Sequence, residues 1–186
     1  MIAVLQRVKR ASVSVEGEVT GSCEQGFCIL LGVAKGDSEE DADALVKKIL
    51  ELRIFCDEND KMNLSITDIG GELLIVSNFT LLAAYKKGRR PDFTNAAPPS
   101  EANRLYEYFC SLCEKGVKHL GRGVFGLQIS LELNNIYRRT SGLHNENLLS
   151  THVLVNLNVD LVVVEATDLP INFIPIHFPG KPTVAF

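Results

Sequence analysis

Ser77-Asn78-Phe79-Thr80 sets hydroxyls, a carboxamide and an aromatic ring at the end of an apolar run, Glu72-Leu73-Leu74-Ile75-Val76. A basic segment follows, Lys86-Lys87-Gly88-Arg89-Arg90, and then Pro91-Asp92-Phe93-Thr94-Asn95-Ala96-Ala97-Pro98-Pro99, rich in turn residues. Polar groups at the end of a buried strand, beside a basic loop, suit chemistry on a phosphate-bearing substrate: the strand fixes their position and the loop opens them to solvent. Thr80 carries a hydroxyl that could attack a carbonyl. No His or Lys stands within obvious sequence reach to activate it, so a positioned water is favoured over a covalent step. The histidines, His119, His144, His152 and His177, are scattered and support no Ser/His/Asp triad. There is no glycine-rich phosphate loop and no credible metal cluster, so neither cofactor nor metal is expected.

The elements that must position these residues are readable from periodicity. Ile2 to Val8 and Ser12 to Val15 read as two strands, with Glu16-Gly17-Glu18 as a hairpin turn. Phe27 to Ala34 is a buried-strand run. Ser38 followed by Asp41 has capping-box spacing, and Ala42, Leu45, Val46, Ile49 and Leu52 then share one helical face. Gly70-Gly71 breaks the chain before a Glu72–Leu82 strand. Pro98-Pro99-Ser100 opens a second helix, expected to reach about Lys118, with Ala102, Leu105, Tyr106, Phe109 and Leu112 at helical spacing. Val124 to Leu133 reads as a strand. Strands alternating with two helices imply an α/β sandwich with helices covering one sheet face. After Asn134 the chain turns polar and aperiodic, resembling a linker. Val153 to Val164 is strand-like, and Pro170, Pro175, Pro179 and Pro182 exclude a helix at the end.

Composition narrows the class. A chain of 186 residues suits one domain, perhaps with an appendage, and can build its core without disulfides. No apolar run reaches the roughly 18 residues that span a bilayer, and no secretory signal is visible, so a cytoplasmic location and no membrane are expected. The net charge of −4 makes the whole molecule no obvious polyanion binder. The local patch at 86–90 still suits RNA, because screening confines each charge to roughly 8–10 Å. Five cysteines, an odd number, argue against a secreted disulfide framework. Cys110 and Cys113 form a CxxC inside a helical pattern, which reads as buried structural thiols.

Ordered blocks along the first two-thirds of the chain resemble the D-aminoacyl-tRNA deacylase, or D-tyrosyl-tRNA deacylase, family. They are Met1-Ile2-Ala3-Val4-Leu5-Gln6-Arg7-Val8, Gly26-Phe27-Cys28-Ile29-Leu30-Leu31-Gly32-Val33, Arg53-Ile54-Phe55, Lys61-Met62-Asn63-Leu64-Ser65, Gly70-Gly71-Glu72 and the 77–99 stretch. The resemblance implies a three-layer β/β/α sandwich over residues 1–133, with a divergent tail at 134–186. It implies hydrolysis of the ester joining a D-amino acid, or glycine, to the 3′-terminal adenosine of tRNA, by a homodimer. Carried over by position, Ser77, Asn78, Phe79 and Thr80 form the catalytic floor. The expected substrate-binding set is Arg7, which in the family supports the substrate-selecting loop, with Lys87, Arg89 and Arg90 of the basic patch, Ala102 and Phe125. The family usually has Gln where this chain has Asn78, one methylene shorter.

The family's second signature, Asn-x-Gly-Pro-(Val/Phe)-Thr with a cis Gly-Pro bond, is absent. Where it should fall the chain reads Glu132-Leu133-Asn134-Asn135-Ile136-Tyr137-Arg138-Arg139, and Gly180-Lys181-Pro182-Thr183-Val184 is only a partial echo. The departure implies one of three outcomes: chiral selection is lost, the tail supplies another selector, or the chain is a catalytically impaired RNA-binding or subunit-pairing protein.

Overall fold

The structure, a computed structural model, describes residues 1–84, 90–136, 153–156 and 161–165. Its spine is one long strand, β1 (Ile2–Val15). The sequence suggests two strands here, but the hydrogen-bonding run is unbroken. What changes is the neighbour. On one side β3 (Gly26–Gly32) pairs with residues 2–8 and β2 (Glu18–Cys23) with residues 11–15. On the other side β10 (Leu161–Glu165) pairs with residues 2–6 and β8 (Ser130–Asn135) with residues 8–14, with a register shift between Val8 and Arg10. The β1–β2 turn has Glu16 at φ 51° and Gly17 at φ 88°. Positive φ at both central residues is the two-residue hairpin geometry that matches strand twist, and glycine adopts it without strain.

Beyond β3 the sheet continues in parallel through β6 (Glu72–Ser77) and β7 (Leu120–Arg122). A small hairpin of β4 (Phe55–Cys56) and β5 (Met62–Leu64) stands apart. β9 (Val153–Asn156) pairs with β10, so the run expected as one strand supplies an antiparallel pair, and strands from beyond Asn134 join the main sheet at β1.

Helices α1 (Glu39–Glu51) and α2 (Pro99–Cys113) cover one face of this sheet. Ser38 caps α1 by the reciprocal bonds its spacing suggests: Asp41 N–H to Ser38 Oγ, and Ser38 N–H to the Asp41 carboxylate at 2.8 Å. α2 stops at Cys113, short of the expected Lys118, and a turn closes through the Gly116 N–H to the Cys113 carbonyl. Phe27, Ile29, Ile75, Leu45, Ile49, Leu105 and Phe109 fill the space between helices and sheet. On the opposite face Val8, Ala11, Val13, Cys23, Cys28, Leu74 and Val76 make a second cluster, joined by Leu131 and Leu133. Its β1 members, Val8, Ala11 and Val13, run from the middle of the spine onward, because that part of β1, with β2 and β8, folds back over β6 and β7. The result is the β/β/α layering of an α/β sandwich.

The fold-back brings β2 and β7 backbone to backbone. A Cβ added at Gly121 would lie 2.2 Å from the Ser22 carbonyl oxygen, and one at Gly21 would lie 2.4 Å from that of Arg122. Only glycine permits that approach. The expected Val124–Leu133 strand is divided by the same region: β7 ends at Arg122, Gly126 turns the chain at φ 76°, and β8 starts at Ser130. At the other end of the molecule the Met1 amino group is buried 2.7 Å from Asp37 Oδ1, and the second carboxylate oxygen accepts from the Ala34 N–H at 2.6 Å.

None of the five cysteines is in a disulfide. Burial pushes the thiols of Cys23, Cys28 and Cys110 up to about 12, and that of Cys113 upward as well. All four therefore stay protonated at neutral pH and lack the thiolate that reacts. Native protein at pH 8 is expected to give at most one fast thiol with a water-soluble disulfide reagent, at half-exposed Cys56. The other four are expected to appear only after denaturation.

Candidate active site

The parallel strands β3, β6 and β7 end at the same edge, where open α/β sheets place their ligands. β6 ends at Ser77, and the Asn78 N–H donates to the Leu31 carbonyl at 2.7 Å, tying the motif to the end of β3. Phe79–Leu82 then forms a short 3₁₀ turn. Gly32 lets that turn lie close: a Cβ there would stand 3.2 Å from the Asn78 carbonyl oxygen and from Leu81 Cβ.

Asn78 caps the turn. Its side-chain oxygen accepts from the Thr80 N–H at 3.0 Å and from the Thr80 hydroxyl at 2.5 Å. This one carboxamide therefore occupies both the second amide of the turn and the threonine hydroxyl. The shorter side chain is what permits the cap, since Asn reaches backbone two residues on and Gln is not among the residues that do so. Thr80 is thus a hydrogen-bonding partner rather than a hydroxyl poised beside a base. Among the described residues, no acceptor meets the Phe79 N–H. That amide sits at the positive start of the turn, beside an exposed ring, and is free to meet an oxygen carrying negative charge.

The Phe79 ring is 59% exposed and meets Phe93 edge to face, with centroids 5.0 Å apart and planes at 66°. Phe93 comes from the far end of the basic loop. Ala84 and Asp92 close the loop's base with two backbone bonds of 2.7 and 2.9 Å. Of the loop residues expected to bind substrate, Arg90 is exposed beside this closure; Lys87 and Arg89 lie outside the described residues.

α2 opens at the same edge. The Ala97 N–H donates to the Val33 carbonyl at 3.0 Å, just past the end of β3. Ala102 and Tyr106 stand one turn apart on α2. The Tyr106 hydroxyl lies 2.9 Å from the Ile75 carbonyl and 3.0 Å from the Gly123 carbonyl, so it joins the helix to β6 and to the chain leaving β7. Phe125 packs 6.0 Å from the Tyr106 ring. Tyr106, one turn from Ala102 and packed by Phe125, thus reaches a β6 carbonyl two residues before Ser77. Tyr106 reads in the sequence as a core position on a helix face, and its joining role shows no local signal. Tyr106→Phe is expected to cost about 1–2 kcal/mol, because two buried carbonyls lose a shared donor. A lower urea midpoint at unchanged slope would check it.

Arg7 is elsewhere within this chain. It lies in the middle of β1, is buried, and donates from Nη1 to the Ile54 carbonyl at 2.6 Å. Arg7 pairs with Phe27, four residues from the Leu31 that flanks Ser77, which is roughly 13 Å along the sheet. Among the described residues no group of His, Cys, Asp and Glu could hold a metal ion. Among the same residues no helix is long and apolar enough to cross a membrane.

A sequence model of the family D-Tyr-tRNA(Tyr) deacylase matches residues 4–136. The chain belongs to this deacylase family. Among curated relatives, the D-aminoacyl-tRNA deacylase of Caldicellulosiruptor saccharolyticus is 51% identical over 135 residues, covering 73% of this chain and 91% of that protein. The one from Erwinia tasmaniensis is 53% identical over 133 residues, covering 70% and 92%. Among solved structures, one titled c-Myc DNA Unwinding Element Binding Protein superposes with a TM-score of 0.69 at 38% identity, covering 73% of this chain and 93% of that one. A probable eukaryotic D-amino acid tRNA deacylase superposes at 0.61 with 16% identity, which supports the fold alone. Membership makes the protein one of a family of hydrolases. The family match stops at residue 136, so β9 and β10 lie beyond it.

Proposed function

We propose that this protein hydrolyses the ester of D-aminoacyl-tRNA, releasing free tRNA and the D-amino acid, and that glycyl-tRNA charged on other tRNAs is a second substrate class. The single observation that carries the mechanism is the Phe79 N–H, without a partner among the described residues at the end of β6. In the proposed reaction it stabilises the oxyanion that forms as water attacks the ester carbonyl. The ester is already activated, so placement and one good donor suffice. The terminal ribose 2′-OH stands beside the ester and assists the water. With Thr80 bonded to Asn78, the chain's own hydroxyl is left out of the attack. Ser77 and Asn78 hold the floor, the Phe79 ring faces the terminal adenosine, and Ala102 and Phe125 line the pocket. Lys87, Arg89 and Arg90 receive the phosphates of the tRNA 3′ end. The proposal includes a homodimer, the assembly the family resemblance implies, with buried Arg7 in a supporting role on β1. The setting is translation proofreading in the cytoplasm.

The 38%-identical structure whose title names DNA binding favours a second reading, a nucleic-acid binder without hydrolysis. Matched D- and L-tyrosyl-tRNA separate the two. Release of tyrosine from the D ester alone supports the deacylase with chiral selection retained. Release from both supports a deacylase that has lost it. Salt-sensitive binding with no release above the protein-free rate supports the second reading.

A further inference from the structure

We propose that Phe93 is a positioning residue for the reaction, holding the Phe79 ring as a fixed platform for the terminal adenosine. The inference rests on the reading of Phe79 given above. Phe79 needs such a partner: it stands on a four-residue 3₁₀ turn and most of its surface is exposed. A lone ring so placed exchanges among staggered rotamers. The edge-to-face contact with Phe93, centroids 5.0 Å apart, selects one of them.

Phe93 can do this because its own backbone is fixed on both sides. Asp92 is bonded to Ala84 through both its N–H and its carbonyl. The Asp92 carboxylate accepts from the Thr94 N–H at 2.9 Å and from the Thr94 hydroxyl at 3.0 Å. The Phe93 carbonyl accepts from the Ala96 N–H at 3.0 Å. Beyond it the Lys35 N–H donates to the Asn95 carbonyl, so the turn is docked on the chain just past β3. Phe93 is therefore a half-buried ring on a pinned turn, and Phe79 an exposed ring on a short one. Order passes from the first to the second.

The test is a double-mutant cycle over Phe79→Ala and Phe93→Leu, reading the dissociation constant for adenosine 5′-monophosphate together with KM and kcat on D-tyrosyl-tRNA. Phe93→Leu keeps apolar bulk at the turn, and Phe93→Tyr restores a ring. Phe93→Leu is expected to weaken adenosine monophosphate binding and raise KM about three- to tenfold, with Phe93→Tyr near wild type. kcat is expected to stay within roughly twofold, because the lost interaction acts on binding. In the Phe79→Ala background the same change is expected to add nothing, since its target is gone. A merely structural role would lower kcat and act equally in both backgrounds, and that result overturns the inference. So does an unchanged Phe93→Leu beside a weakened Phe79→Ala. If Phe79→Ala itself binds and reacts as wild type, the reading of Phe79 fails first and the inference falls with it, a separate and recognisable outcome.

Discussion

Phe79→Pro is expected to lower kcat on D-tyrosyl-tRNA about 10²–10³-fold below Phe79→Ala, the typical loss when one oxyanion donor is removed. Both substitutions delete the ring, so their difference isolates the backbone N–H. Proline is compatible with this position. Residue 79 opens the 3₁₀ turn, where a missing N–H breaks no bond within the turn. The preceding residue, Asn78, is extended at φ −146° and ψ 95°, outside the α region that a following proline disfavours. The bonds that hold the motif, from Asn78 to Leu31 and to Thr80, involve other atoms. Folding is therefore expected to survive while the step fails. Single-turnover kinetics on the two variants, with thermal melts beside them, make the measurement. Equal rates for proline and alanine would remove the Phe79 amide from the mechanism.

Gly121→Val is expected to lose upwards of about 3 kcal/mol of stability, because overpacking against backbone has no soft neighbour to yield. The added Cβ would stand 2.2 Å from the Ser22 carbonyl oxygen and 2.7 Å from its nitrogen. Relief requires moving β2 away from β7, which opens the second apolar cluster where Cys23 and Leu74 meet. Gly17→Ala is the contrast. Nothing lies within 4 Å of its added carbon, so its cost is the positive φ alone. Urea unfolding of both variants checks the difference; a Gly121→Val midpoint close to wild type would show that the two strands are not held together as described.

Local chemistry was legible where its signal is local. Ser38 and Asp41 announce the α1 cap, and Glu16-Gly17 the first turn, because each needs only residues a few positions apart. The apolar run into Ser77 locates the site edge for the same reason. Reading failed where distant backbone decides. The two segments of β1 look separate because the polar residues Lys9 and Arg10 fall between them, yet the strand runs on through a change of neighbours. Val124 to Ile129 is apolar enough for a strand, but Gly123 bonds to Ile75 and Gly126 turns, so the chain is bent there. In the site, Asn78 and Thr80 stand two apart, a spacing from which the cap could have been read. Tyr106 and Phe93 gave no such sign. Their partners, Ile75 and Phe79, are brought to them only when helix, sheet and loop base have closed.

The strand-end cluster of this chain, with its altered tail, is proposed to cleave an aminoacyl ester. The most direct test is a time course of tyrosine release from D-tyrosyl-tRNA by the purified full-length protein, with Phe79→Pro in parallel. Release well above the protein-free rate, largely abolished in the variant, is the expected result. Release no faster than without protein, from a protein that is folded and binds the RNA, would contradict it.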